Sequence, residues 1–444
     1  MSNLASPVPR EERIRHLDIL RGVAVLGILL MNIIGFAFYG STYVNPTVAG
    51  GSAGPNLWAF GVNAIFVDGK MRGIFSLLFG AGIVLFASRM EQKGLGMTGA
   101  DLYFRRMVWL GVFGVIHAVF LWWGEILFPY ALAGLLLFVF RNLSVRALFI
   151  WTAVFVVAMT GGMTYDAFDT QKLRNQVMQI ATLERQGKPL TDEQTKAKEK
   201  WAERMKSHAP DAKELEKDRK AFTSYSSSIP RRIELIKPWH NQAIYSPKLW
   251  DFYAMMLLGM ALLKCGFLTG SATRRTLITI AVLGYLIGLP LAAWSLWNQW
   301  IWKFDIVAMA FSFTVYEPSR IAICLAHVSV LILLIESGVF QRLFSALAAA
   351  GQMAFSNYVL QSVLCTLFFT VLGYYGRLER YQVYYVVGAI WILQLLWSPW
   401  WLQRYRFGPL EWCWRSLTYW CRQPMRLAAQ PVAAPAASAA PAEG

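Results

Sequence analysis

Charge is scarce in this chain. Asp, Glu, Lys and Arg make up 15% of its 444 residues, against about 25% in an ordinary soluble domain. That shortage excludes the two or three hydrophilic globular domains that length alone would suggest. The charge that remains is lopsided, 42 Lys+Arg against 26 Asp+Glu, a formal +16. There is too little polar surface for this excess to mean nucleic-acid binding, and no nucleic acid is expected as a partner. Cysteine is sparse as well. The five cysteines (265, 324, 365, 413 and 421) form no CxxC pair and are irregularly spaced, which excludes a disulfide framework. They read as small apolar packing residues. No stretch has the spacing of a zinc site, a Walker A loop or a Gly-x-Ser-x-Gly elbow. Gly80-Ala-Gly82 lacks the third glycine and the preceding strand of a dinucleotide site. Neither a metal nor a permanently bound cofactor is expected.

Apolar residues are abundant: the AVILMFWYC set makes up 56% of the chain and aromatics 15%. The first apolar run, 19–38, lies behind Arg10, Arg13, Arg15 and Arg21. A helix of that length crosses a hydrocarbon core of about 30 Å. It is too long for a signal-peptide core and no small-residue cleavage site follows, so it reads as a retained first helix. Further runs lie at about 74–88, 107–122, 126–140, 146–163, 250–263, 277–297, 321–335, 353–373 and 382–399, which makes ten. Residues 301–315 form an extra short or re-entrant piece. The stretch 57–88 is too long for one upright span, about 48 Å as a helix. Asp68-Gly-Lys-Met-Arg-Gly73 interrupts it, so an interfacial segment, a break and then the span are expected. The fold class is all-α, a polytopic membrane bundle of about ten transmembrane helices.

Four regions follow: an N-terminal membrane half (1–163), a charged insertion (164–248), a C-terminal membrane half (249–422) and an Ala/Pro-rich tail (423–444) expected to be disordered. Residues 164–247 hold 28 of the 68 charges, 16 basic and 12 acidic. They read as solvated helix with opposite charges at helical spacing, a hairpin or lid without a core of its own. Lys and Arg in short loops stay cytoplasmic. By that rule both termini lie inside and the insertion outside. Lys70, Arg72, Lys303, Arg320, Arg377 and Arg380 break the pattern near the outer face. They either snorkel to the interface or form a pocket for an anionic group.

Ionisable and amide side chains inside spans are candidates for function by default. Asp18 and Arg21 share a face at the mouth of the first helix. Asn32 lies about 21 Å further along, towards the outer third. His117, eleven residues beyond Arg106, reaches a similar depth. The turn Trp122-Trp-Gly-Glu125 brings a carboxylate back towards it, and a carboxylate that fixes the imidazole's tautomer suits general-base work. Helix packing accounts for Asn32 and His117 equally well. Arg320 with His327, and Gln352, Ser356, Asn357 and Gln361, stand at helical spacings as lining or bridging groups.

The segment Arg15-His-Leu-Asp-Ile-Leu-Arg-Gly-Val-Ala-Val-Leu-Gly-Ile-Leu-Leu-Met-Asn32 resembles the opening of the YeiB-like bacterial membrane proteins. So do Gly69-Lys-Met-Arg-Gly-Ile-Phe-Ser-Leu-Leu-Phe-Gly80, and His117 with Trp123-Gly-Glu-Ile-Leu and Tyr130-Ala-Leu-Ala-Gly134. Gly351-Gln-Met-Ala-Phe-Ser-Asn-Tyr-Val-Leu-Gln-Ser362 and Phe407-Gly-Pro-Leu-Glu-Trp-Cys-Trp-Arg415 look like that family's second half, domain of unknown function 418. The likeness covers most of the chain except insertion and tail, and it implies a multi-pass protein of the bacterial inner (plasma) membrane. More distantly, Leu-Asp-x-x-Arg-Gly with a later Asn is similar to the transmembrane acyltransferases, among them heparan-α-glucosaminide N-acetyltransferase. That likeness implies acyl-CoA entering from the cytoplasm and an acceptor near the outer face. The heparan enzyme carries a His eleven positions past the Asn; here that position is Tyr43.

The reading these features support is transfer of an acyl group, acetyl first, from acyl-CoA as cosubstrate to a small-molecule or glycan acceptor. His117 is the expected base, Glu125 its orienting partner and Asn32 the donor to the thioester oxygen. Arg21, Arg105 and Arg106, within a cluster with Arg13, Arg15 and Arg89, are expected on the CoA phosphates. Lys70, Arg72, Trp123, Asn357 and Gln361 are expected around the acceptor. Two alternatives use the same residues: a transporter or lipid flippase, and a non-catalytic scaffold whose insertion is the contact surface. Only one broken segment is visible, without the paired counterpart common in transporters. The bilayer is the one certain partner, and self-association is left open.

Overall fold

A computed structural model describes the backbone of residues 14–245 and 250–427, and the side chains of 14–237 and 250–427. The expectations placed on Arg10, Arg13 and the tail beyond 427 lie outside the described residues. What is described is helical throughout, with a single isolated bridge, Tyr405 to Arg426, and no strand among the described residues. In hydrocarbon each backbone amide must be satisfied within its own segment, which helices achieve.

Helix α1 (Arg15–Ala37) is followed by α2 (Pro55–Phe66), α3 (Lys70–Gln92), α4 (Gly96–Phe120), α5 (Leu127–Leu137) and α6 (Val145–Arg185). The insertion continues as α7 (Asp192–His208), α8 (Ala212–Ala221) and α9 (Tyr225–Tyr245). The second membrane half holds α10 (Trp250–Lys264), α11 (Arg274–Ile301), α12 (Ile306–Ser312), α13 (Tyr316–Glu336), α14 (Gln341–Gln352), α15 (Ala354–Cys365), α16 (Val383–Leu402) and α17 (Pro409–Tyr419). Among the described residues eight helical stretches are long and apolar enough to cross a membrane. The other two expected spans are α5, which ends in a 3₁₀ turn at Asn142, and α10, 15 residues long. At about 22 Å, α10 is shorter than the hydrocarbon core. It lies buried along nearly its whole length, so protein surrounds it in place of lipid.

The expected break falls at residues 67–69. Gly69 adopts φ +69°, and a side chain there would run into the Tyr316 hydroxyl and the Arg320 stem. Glycine is needed at this bend twice over.

Close backbone approach holds the bundle together, as small residues allow in membranes. A Cβ on Gly22 of α1 would strike the Leu347 carbonyl of α14, and one on Gly351 the Asp18 carbonyl. Gly80 of α3 faces the Met256 carbonyl of α10, and Gly259 of α10 faces Leu77 of α3. Gly284 and Gly288 of α11 meet the backbone of α13 in the same way.

Helix α6 runs unbroken through 41 residues, about 62 Å. Its C-terminal part therefore extends past the bilayer and forms a hairpin with α7. Lys200 pairs with Asp169 at 3.0 Å and Arg204 with Asp169 at 2.8 Å. Arg231 of α9 is clasped by Glu214 (2.9 Å), Asp218 (2.8 Å) and Glu234 (2.9 Å). The assembly sits on the end of the bundle where α1 and α4 finish. The Tyr225 hydroxyl and Arg232 both donate to the Phe120 carbonyl, at 2.9 and 2.8 Å, and Phe222 stacks on Tyr375 at 4.7 Å. His208 anchors the hairpin, its Nε2 donating to the Phe304 carbonyl at 2.8 Å, while Asn45 donates to the His208 carbonyl at 3.2 Å. We call this the insertion face, and its opposite the N-terminal face.

Two outcomes are expected. Replacing Gly259 with Val forces α3 and α10 apart and costs about 1–3 kcal/mol of stability. Gly388→Val, where nothing lies within 4 Å, changes it by less than about 0.5 kcal/mol. Thermal unfolding in detergent checks the difference. Burial holds the His208 pKa below its ordinary 6.5, so the bound hairpin favours the neutral ring. Its contribution is complete above about pH 6.5 and falls as acidification protonates the detached form. Proteinase nicking of the hairpin should rise from pH 7 to pH 5 in wild type, normalised to His208→Gln at each pH. Parallel profiles would remove His208 as the cause.

Candidate functional site

A cavity of about 530 Å³ opens on the N-terminal face between α1, α3, α4, α15 and α17. That is within the range of small-molecule sites, about 300–1,000 Å³. Its mouth carries Arg21, Arg89, Lys93, Arg106 and Arg415 against Asp18 and Glu411. Arg21 is paired with Asp18 at 3.0 Å, and the Arg106 guanidinium lies over the Trp414 ring at 4.0 Å. Glu411 reaches across from α17 to the start of α15. It accepts from the Phe355 and Ser356 amides at 2.8 and 3.0 Å and from the Ser356 hydroxyl at 2.5 Å. These bonds satisfy helix-start donors that otherwise lack partners. Inward, the walls turn apolar and aromatic: Phe75, Phe79, Leu110, Ile126, Tyr130 and Tyr358.

His117 stands behind the inner wall. Its ring stacks on Tyr358 at 5.1 Å and its Nε2 bonds the Ser362 hydroxyl at 2.8 Å. Nδ1 has no partner among the described residues. Glu125 is fully buried, but its carboxylate accepts from the Phe128 amide at 3.0 Å, at the start of α5. No hydrogen bond or ion pair joins it to His117; the serine takes the place expected for the carboxylate. The reason is local: the turn after Trp122 points Glu125 at the exposed amides of α5, the nearest donors.

The structure does not gather the remaining predicted residues into one place. Asn32 is half-buried on α1 and lines neither cavity described here; its carbonyl accepts from the Tyr43 hydroxyl at 3.3 Å. Arg105 turns away from the cavity, pairing with Asp101 at 2.5 Å and lying over Trp420 at 4.0 Å. Trp123 packs in a separate apolar cluster near the insertion face. Asn357 and Gln361 bridge helices. Asn357 donates to the Ala350 carbonyl and Ser398, both at 3.0 Å, and accepts from Trp397 at 2.8 Å. Gln361 donates to the Val25 carbonyl at 3.1 Å and Gln394 at 2.9 Å.

Lys70, Arg72 and Arg320 do not snorkel; they turn inward. Arg72 pairs with Asp251 of α10 at 2.7 Å and lies over the Phe252 ring at 4.8 Å. Arg320 of α13 pairs with Glu317 and approaches the same Asp251 at 3.7 Å. Two cations and two carboxylates thus neutralise each other where α3, α10 and α13 meet. The network touches the large cavity through Tyr130, whose hydroxyl bonds Ser76 at 2.6 Å and the Arg72 carbonyl at 3.3 Å. Lys70 faces a different, smaller cavity near the insertion face, about 60 Å³, shared with Asp68, Asn63, Tyr316 and Arg380.

Arg89 was legible as part of the arginine cluster expected on the CoA phosphates and Arg415 only within a family-like segment; their meeting on one cavity depends on α3 and α17 converging. Tyr130, Tyr358 and Glu411 lay within the family-like segments and were singled out by nothing else in the sequence. Asp251 was readable only as an acidic residue opening an apolar run.

A polytopic all-helical membrane protein with a basic-mouthed cavity is what the fold defines. Residues 262–421 match the family described as "Protein of unknown function (DUF418)". Over nearly its whole length the chain is similar to "Uncharacterized protein YxaH" of Bacillus subtilis. They are 27% identical over 434 residues, 96% of this chain and 98% of that protein. It is likewise similar to "Uncharacterized protein YeiB" of Escherichia coli, 27% identical over 421 residues, 92% and 96% of the two chains. A third relative is the "Uncharacterized 39.9 kDa protein in amylase 3' region" of Bacillus acidopullulyticus, 25% identical over 419 residues, 93% and 96%. No solved structure matches. Residues 262–421 thus carry the region that defines that family, and the chain as a whole is similar to the YeiB-like proteins.

Asp251→Asn leaves Arg72 and Arg320 short of a buried counter-charge and is expected to cost about 3–5 kcal/mol. Arg72→Met with Asp251→Leu removes both charges and should cost less than Asp251→Asn alone. Thermal unfolding of the three proteins measures the order.

Proposed function

We propose that the large cavity binds acyl-CoA and that the protein, in a bacterial inner membrane, passes its acyl group to an acceptor from the insertion face. One observation carries this reading: a single cavity joins a cationic mouth to an apolar, aromatic interior that ends at Tyr358, the ring on which His117 stacks. The mouth suits the phosphates, since guanidinium groups bind them bidentately. The narrow apolar interior suits the pantetheine arm, and the thioester then rests beside Tyr130 and Tyr358. His117 lies one ring away, with Ser362 fixing one nitrogen and Nδ1 left to take a proton. For contact, the Tyr358 ring must swing aside as the thioester enters. His117 then accepts the proton of the acceptor's hydroxyl or amine as that atom attacks the thioester carbonyl, and returns it to the sulfur as the C–S bond breaks, so that CoA leaves as the thiol. Asn32 has no part in this reading, and Glu125 acts only by fixing the turn beside His117.

A transporter has one observation in its favour: two cavities lie towards opposite faces, with the buried ion network between them. Substrate-driven proton flux in proteoliposomes without acyl-CoA would favour it over the enzyme.

The test uses purified protein and labelled acetyl-CoA. Arg106→Gln should weaken CoA binding by about tenfold or more, as expected for loss of a charge-assisted hydrogen bond. His117→Ala should keep CoA binding yet slow label transfer to a panel of envelope sugars and amines by about 10²–10⁴. Equal transfer by His117→Ala and wild type would sink the catalytic role, and absence of CoA binding would sink the class.

A further inference from the structure

The small cavity near the insertion face differs in kind from the large one. Its charged lining residues are Lys70, Arg380 and Asp68, two cations against one carboxylate. Lys70 is 3% exposed and donates to the Ala64 carbonyl at 2.7 Å. Arg380 is 2% exposed, donates through one terminal nitrogen to the Thr42 carbonyl at 2.7 Å, and lies over the Phe60 ring at 5.3 Å. Its Nε has no partner, and it forms no ion pair among the described residues. The loop before α16 fixes it in place, because the Arg380 amide also donates to the Gly50 carbonyl at 2.7 Å. The neighbouring charges, Arg72 and Arg320 against Asp251 and Glu317, cancel one another and leave this excess uncompensated. Burying a cation without a counter-charge is among the costliest arrangements in a protein. An anion arriving in the cavity would remove that cost.

We propose that this cavity is an anion seat, in which Arg380 and Lys70 hold a phosphate or carboxylate group between α2, α11 and the loop before α16. The size agrees: about 60 Å³ is roughly four times what one ordered water requires, enough for the ionic group and too small for a sugar ring. Lining acceptors refine the choice. Asn63 Oδ1 is buried without a partner and Asp68 also lines the cavity, so a phosphate that still carries a hydroxyl has a place for its proton. A carboxylate has none. Inorganic phosphate should therefore bind more tightly than acetate. Binding stands independently of acyl transfer; the seat's role as the anchor of the acceptor rests on that reading.

Thermal unfolding with inorganic phosphate, acetate and chloride, compared among variants, tests the seat. Phosphate stabilises proteins generally, so the readout is the shift in excess of that seen in two variants. Arg380→Gln removes the cation but also a bond to Thr42. Gln299→Glu, on the same cavity wall, supplies an internal carboxylate and leaves Arg380 and its bond intact. Wild type should show a saturable shift with phosphate, weaker by about tenfold in affinity for acetate, and both variants should lose it. Should Arg380→Gln fail to fold, Gln299→Glu decides. A second arm separates sources: stabilisation in phosphatidylglycerol nanodiscs over phosphatidylcholine, absent in Gln299→Glu, identifies a lipid headgroup; a shift with inorganic phosphate alone identifies a soluble anion. Equal behaviour of wild type and Gln299→Glu in both arms overturns the proposal. Phosphate binding without any acetyl transfer would leave the seat in place and remove the enzyme.

Discussion

Asp251, Glu317 and Arg320 are buried where α3, α10 and α13 meet, and the part-exposed Arg72 joins them. Arg72 and Arg320 share Asp251, and Arg320 also holds Glu317. In hydrocarbon a lone ion is too costly to keep, so each is tolerable only while the other three are in place. This mutual need sets the geometry around it. It fixes the short buried helix α10 against α3, requires glycine at position 69 so that Arg320 can pass, and sets Tyr130 on the Arg72 carbonyl. Both cavities border on this knot, one through Tyr130 and the other through Lys70 and Tyr316.

The charged residues that the sequence reading set at opposite ends of one path fall in part on two separate cavities. The large one has five cations at its mouth and aromatic walls within, and His117 is a single ring away. The small one has buried cations in excess of carboxylates. The proposed transfer would use both, the acyl donor entering from one face and an anionic acceptor seated near the other. The insertion covers the end near the small cavity, stapled to the end of α4 by Tyr225 and Arg232 and to the Phe304 carbonyl between α11 and α12 by His208.

How legible this was differs by residue. Lys70 and Arg72 stood out because they broke the charge rule, and both do face inward. Their partners did not stand out: Asp251 lies about 180 residues away, and pairing at that distance leaves no local pattern. Asn357 and Gln361 had the right spacing to line a pocket, yet they bond α16 and α1, because Gln394 and Ser398 present matching groups on the facing helix. His117 and Glu125 are close in sequence, and proximity suggested a pair. The open amide of Phe128 competed for the carboxylate and won.

Composition and run length alone were enough for an all-helical membrane bundle, the break before α3 and the charged insertion, because hydrophobic length and glycine placement are local properties read in chain order. Which helices cross as full spans, which charges cancel and which are left in excess, and where the cavities lie depended on contacts between segments far apart in the chain. Arg380 is the clearest case. In the sequence it is one loop arginine among several, and only the packed bundle leaves it buried, positively charged and without a counter-ion.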